Sequence, residues 1–138
     1  MKKIDQVGKI YLLLAGSCDG VSGVLLVAAP LMALRLMGVT TMPLEPVYMQ
    51  WIGAFVFAVG FSHFIPFLSR DPATFSRRAI SILEITAFMR LVIGTFAGIS
   101  ILRGALGAEW ISVPLTDLSL AAAQIILLAR GVFSPASR

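Results

Sequence analysis

Charge is what this sequence has least of. Asp, Glu, Lys and Arg together make 13% of its 138 residues, where soluble domains carry about a quarter. A soluble domain is excluded on that ground alone. There is one cysteine, Cys18, so no intrachain disulfide, CxxC redox pair or cysteine-based zinc framework can form. There is one histidine, His63, which excludes bis-imidazole haem within the chain and leaves only a single-ligand or inter-subunit haem. The net charge of +4 is not a nucleic-acid footprint. Its basic residues are scattered at segment ends with no polar face and no interleaved aromatics.

What is abundant is apolar sequence, at 58% of the chain. Four apolar segments stand out: Ile10 to Ala29, Tyr48 to Leu68, Ala79 to Leu102 and Val113 to Ala129. About 20 residues of helix cross a bilayer, so the pattern predicts an all-α integral membrane four-helix bundle, a single domain over residues 1–138. The basic start is followed by an apolar run longer than a signal peptide's core, so it is expected to remain as the first membrane helix. Pro30 ends that run, and Leu31 to Met37, stopped by Gly38, predicts a short interfacial helix. Thr40 to Pro46, with Pro43 inside it, reads as a tight loop. Asp71 or Thr74 is placed to cap a turn before the third segment. Tyr48 and Trp51 suit a headgroup belt, and Glu109 with Trp110 a second interface.

Basic residues orient the bundle. With the N-terminus inside, Lys2, Lys3, Lys9, Arg70, Arg77, Arg78, Arg130 and Arg138 are cytoplasmic, against Arg35 and Arg103 outside. The positive-inside bias predicts both termini in the cytoplasm. Asp19-x-x-x-Gly23 in the first segment matches Arg90-x-x-x-Gly94 in the third, which suggests two helix hairpins related as a parallel repeat.

The few polar residues inside the segments share faces with small ones. Gly16, Asp19, Gly20 and Gly23 fall at i, i+3, i+4 and i+7. Arg90, Gly94 and Gly98 recur every four residues. Gln50, Gly53, Phe57, Gly60 and His63 share a stripe in the second segment, as do Asp117, Ala121, Gln124 and Leu128 in the fourth. A polar seam along the bundle axis follows. Ionisable groups at membrane depth are costly and seek partners. Matching depths suggest an Asp19–Arg90 ion pair near the midplane and a His63–Glu84 pair about 9 Å nearer the cytoplasm. Gln50 and Asp117 fall towards the outer side, Asp117 as a charge complementing the dipole at the start of its helix.

Each feature has a structural and a functional reading. Asp19–Arg90 either fixes helix register or binds a polar headgroup or ion. His63–Glu84 is either an interhelical hydrogen bond or a site that handles protons or a quinone carbonyl. Cys18 reads as a small packing residue. The row Phe55, Phe57, Phe61, Phe64 and Phe67 faces lipid and neighbouring helices, or else cages a cofactor.

The glycine-rich first segment running into Pro30, Leu31 to Gly38, Trp51-Ile-Gly-Ala-Phe, Arg90 with Gly94, and Asp117 to Gln124 before Arg130 resemble the DoxX-like group of small bacterial four-helix membrane proteins. The resemblance covers most of the chain and departs where that group commonly has an arginine in its first helix and this chain has Asp19. It implies an inner-membrane subunit or accessory protein, not a stand-alone enzyme, associated with quinone oxidoreduction. The expected partners are membrane lipids, a quinone or lipid held in the seam, and further subunits, identical or different. The competing expectations are a small proton-coupled transporter using Asp19 or Glu84, and a structural subunit of a larger membrane complex.

Overall fold

Proline and glycine divide the chain into its elements. The computed structural model describes residues 3–41 and 44–134, so Lys2, Pro43 and Arg138 lie outside the described residues. α1 (Lys3–Ala28) is followed at once by α2 (Pro30–Leu36), where Pro30 occupies the first helical position that tolerates its missing N–H. Gly38, at φ +83, ends this short helix in a conformation that a side chain would disfavour. α3 (Val47–Ser62) stops where Pro66 can no longer donate to the Ser62 carbonyl. The chain then tightens into a 3-10 turn, Ile65–Leu68. α4 (Pro72–Leu102) is the longest element at 31 residues, and a second 3-10 turn, Ala108–Ile111, leads into α5 (Ser112–Ala129).

These elements refine the expected boundaries. α1 begins at Lys3 rather than Ile10, and α4 at Pro72 rather than Ala79. Apolar runs mark only the part of a helix that avoids water, and the hydrogen-bonded backbone continues through the polar residues beyond it. At α4 the start is set by Asp71, whose Oδ2 accepts from the Thr74 amide at 2.8 Å and the Thr74 hydroxyl at 2.7 Å. These bonds, the hydroxyl's first, hold the exposed Asp71 carboxyl below its ordinary value of 3.8. The second expected segment ends as α helix at Ser62, short of Leu68, because of Pro66.

Among the described residues the protein is all helix and turn, with no strand. Three stretches are long and apolar enough to cross a membrane: Lys3–Ala28, Pro72–Leu102 and Ala108–Ala129. α3, at 16 residues, extends about 24 Å, less than the roughly 30 Å of a hydrocarbon core.

Packing follows the glycines. α1 and α3 form an antiparallel hairpin in which Gly23 abuts the backbone of Gly53 and Phe57, and Gly60 abuts Gly20 and Asp19. A Cβ on Gly23 or Gly60 would run into the main chain of the other helix, so the pair is held at the close approach that small residues permit. α4 and α5 form the second hairpin, with Leu118 seated over Gly94. The hairpins join at the end bearing most basic residues, where Leu12, Ala79, Leu83, Leu127, Val132 and Phe133 bury one another. Asp5 accepts the Phe133 amide there at 2.9 Å, and the Phe75 ring meets both Phe67 and Phe133 edge-on at 5.3 Å. The Lys9 ammonium lies 4.9 Å from the Phe75 ring centre. At the opposite end the Thr41 hydroxyl donates to Glu109 at 3.2 Å.

A candidate site around Arg90

Arg90 enters the space between the hairpins from the middle of α4, and its side chain is only 4% exposed. Through Nη1 it donates to Asp117 Oδ1 on α5 at 2.9 Å, and through Nη2 to Asp19 Oδ2 on α1. The expected Asp19–Arg90 pair is therefore present, with a second carboxylate that sequence reasoning had assigned to a helix dipole. Gly94 explains the difference. One turn beyond Arg90, its bare backbone lets α5 approach until a Cβ there would stand 3.3 Å from that of Asp117, bringing this carboxylate within the reach of the guanidinium. Two carboxyl groups thus share one guanidinium. Asp19 and Asp117 keep 12% and 18% of their side chains exposed, so the acceptor edges of the cluster are reachable while the cation is not.

One turn below Arg90, the Gln124 amide donates to Thr86 Oγ1 at 2.6 Å, and Thr86 in turn donates to the Ile82 carbonyl at 2.7 Å. Gln124 belongs to the seam as expected, and Thr86 is a member that sequence reasoning missed. Its signal was its place at i−4 from Arg90, on the same face. Gln124 Oε1 and Arg90 Nε are buried with no partner among the described residues.

Three expected seam residues lie elsewhere. His63 is fully buried, but its Nδ1 donates to the Val59 carbonyl at 2.9 Å within its own helix turn, and Nε2 has no partner among the described residues. Glu84 is exposed on the outside of α4 and has no hydrogen-bond partner among the described residues. The expected His63–Glu84 pair is not formed. The stripe that carries His63 is spent on α1, with Gly16 directly against the His63 Cβ, so α3 does not pack along α4. Gln50 donates to the Val27 carbonyl at 2.9 Å and so satisfies one of the open carbonyls at the end of α1. It takes no part in a site with Asp117.

A shallow groove of about 520 Å³ runs between α1 and α5. Tyr11, Leu14, Ala15 and Cys18 line one side, and Leu115, Thr116, Ser119 and Leu120 the other. The Tyr11 hydroxyl donates to the Leu120 carbonyl at 3.2 Å across it. Cys18 is exposed in this groove and is not the packed residue expected from its size. A second, largely apolar groove of about 560 Å³ lies between α4 and α5, bordered by Gly98, Leu102, Pro114 and Leu118, and shares Leu115 and Ser119 with the first. The exposed rings of Phe55, Phe57, Phe61 and Phe67 form no cage. Among the described residues no three His, Cys, Asp or Glu side chains gather as a metal ion requires.

Comparison of the chain with protein families, with curated proteins and with solved structures returns no match.

Proposed function

We propose that this chain is an integral membrane four-helix bundle that holds a lipophilic molecule, a quinol or quinone or a lipid, in the groove between α1 and α5. The observation that carries this reading is the groove itself, an apolar cleft between α1 and α5 whose lining residues Cys18 and Thr116 directly precede Asp19 and Asp117 in the chain. Asp19 follows Cys18 and lies one turn from Ala15; Asp117 follows Thr116 and lies one turn before Leu120. Leu14, Ala15, Leu115 and Leu120 suit a ring or an acyl chain. The partly exposed carboxyl oxygens of Asp19 and Asp117 favour a polar group that donates hydrogen bonds, such as a quinol hydroxyl or a lipid amine, over an anionic headgroup.

The distribution of charge supports a bundle with both termini in the cytoplasm. Lys3, Lys9, Arg70, Arg77, Arg78 and Arg130 belong to one end of the helices, and Arg35 and Arg103 to the other. α3 completes a fourth crossing by continuing through its 3-10 turn to Leu68, with local thinning of the bilayer making up the remainder. The likeness to DoxX-like membrane subunits belongs to the same proposal, supported by Pro30 opening α2, Gly38 closing it, and Arg90 paired with Gly94 in one helix face. On this reading the chain works as an accessory subunit in a bacterial inner membrane.

The test is extraction of the protein purified from its native membrane into lipid discs, followed by mass spectrometry of bound quinones and lipids. Cys18→Trp fills this groove alone and is expected to remove the bound molecule. Leu102→Trp, in the other groove, is expected to leave it in place. Equal ligand content in both variants and the parent would sink the reading.

A further inference from the structure

Three of the most buried polar side chains each end in an atom with no partner among the described residues: His63 Nε2, Gln124 Oε1 and Arg90 Nε. The residues are 0%, 0% and 3% exposed, so bulk water satisfies none of these atoms. Their neighbouring bonds fix what each one offers. The Val59 carbonyl can only accept, so the His63 proton is on Nδ1, and Nε2 of the neutral ring is an acceptor. Thr86 spends its own proton on the Ile82 carbonyl, so Gln124 turns its amide nitrogen to Thr86 and its oxygen elsewhere. Arg90 Nε carries a hydrogen and can only donate. Two acceptors and one donor result.

Helix register brings them to one place. Leu12 is buried with Leu83, and Asp19 is bonded to Arg90. Each step along its own helix is seven residues, so α1 and α4 run in step. A Cβ on Gly16 would stand 2.8 Å from that of His63, which sets His63 about 4.5 Å below Asp19, towards the basic end. Thr86, with Gln124 bonded to it, stands about 6 Å below Arg90 in the same direction. His63 and Gln124 therefore share one layer, and Arg90 forms its upper edge. His63 makes no direct bond to this layer, yet the 3-10 turn that follows it packs on α4, and the charge of Arg90 acts on its ring. The buried residues in and beside the layer, Gly16, Ala87 and Ala121, carry no more than a methyl group.

We propose that His63, Gln124 and Arg90 hold one buried water molecule between the hairpins. Its two hydrogens go to His63 Nε2 and Gln124 Oε1, and its oxygen accepts from Arg90 Nε. Three bonds satisfy all three atoms, and about three is what an internal water makes. The water links His63, whose helix is packed on α1, to α4 and α5. It is held whether or not the α1–α5 groove is occupied.

The experiment is magic-angle-spinning NMR of the full chain in bilayers of deuterated phospholipid at about pH 8, where an ordinary imidazole is neutral. Polarisation started on water protons is expected to reach the His63 ring carbons several-fold more strongly than the side chains of Leu12 and Leu83, which are equally buried. The His63 nitrogen spectrum is expected to show a proton on Nδ1 and none on Nε2. Gln124→Leu removes one acceptor while Thr86 keeps its bond to Ile82, and transfer to the His63 ring should fall several-fold. The parent spectra decide by themselves should that variant not fold. Transfer to His63 in the parent no stronger than to Leu12 and Leu83, or a proton on Nε2, would overturn the proposal. So would undiminished transfer in a folded Gln124→Leu protein.

Discussion

Replacing Arg90 by methionine removes one guanidinium from two carboxylates at once. The side chain is 4% exposed, while Asp19 and Asp117 are 12% and 18% exposed, so neither carboxylate can recover full hydration. Stripping the partner from a buried ion pair costs about 3–5 kcal/mol, and the residual access to water argues for the lower end, about 3 kcal/mol. The triple variant Asp19→Asn, Arg90→Met, Asp117→Asn removes every charge and should lie within about 1 kcal/mol of the parent, because uncharged groups of similar size avoid the desolvation cost. The triple variant is thus expected to be more stable than the single one, a coupling that independent sites would not give. Reversible unfolding in mixed micelles, followed by circular dichroism, measures both. A loss under about 1 kcal/mol for Arg90→Met, or a triple variant no better than the single one, would refute the view that Arg90 joins the hairpins by neutralising carboxylates.

Two further consequences follow from the packing and the cap. Gly60→Leu forces a side chain into the backbone of Gly20 and Asp19, so it should separate α1 from α3 and cost at least about 1–3 kcal/mol in the same unfolding assay, whereas the same change at Gly20, which faces open space, should cost far less. The Asp71 cap should depend on acid. Its carboxyl lies lower in the folded protein than its ordinary 3.8, so its contribution is complete above that value and fades as the pH falls through the folded value. The protection of the Thr74 amide, its exchange rate relative to the intrinsic rate at the same pH, should therefore fall at low pH in the parent and show no such step in Asp71→Ala.

Much of the architecture is legible without coordinates because it rests on rules local to one helix. Apolar length marks the spans, Pro30 and Gly38 bracket α2, and Asp71 with Pro72 announces a helix start. Small residues on the faces of Asp19 and Arg90 show that both point at protein, and depth alone matches them into a pair. These inferences need only the 1.5 Å rise and the 3.6-residue turn.

What the sequence by itself determined, then, is that the faces carrying Asp19 with Gly23 and Arg90 with Gly94 are buried, and at what height their charges stand. Only the tertiary structure decided which neighbour fills each face. Glu84 and Arg90 lie about 120° apart around α4, and nothing in the chain's periodicity says that one direction holds two carboxylates and the other no part of this bundle. That choice is made by close backbone approach. Gly16, Gly23, Gly53 and Gly60 commit α3 and His63 to α1, while Gly94 draws α5 and Asp117 onto Arg90. Van der Waals contact between two particular helices is a property of both surfaces together, so it cannot be read from either one.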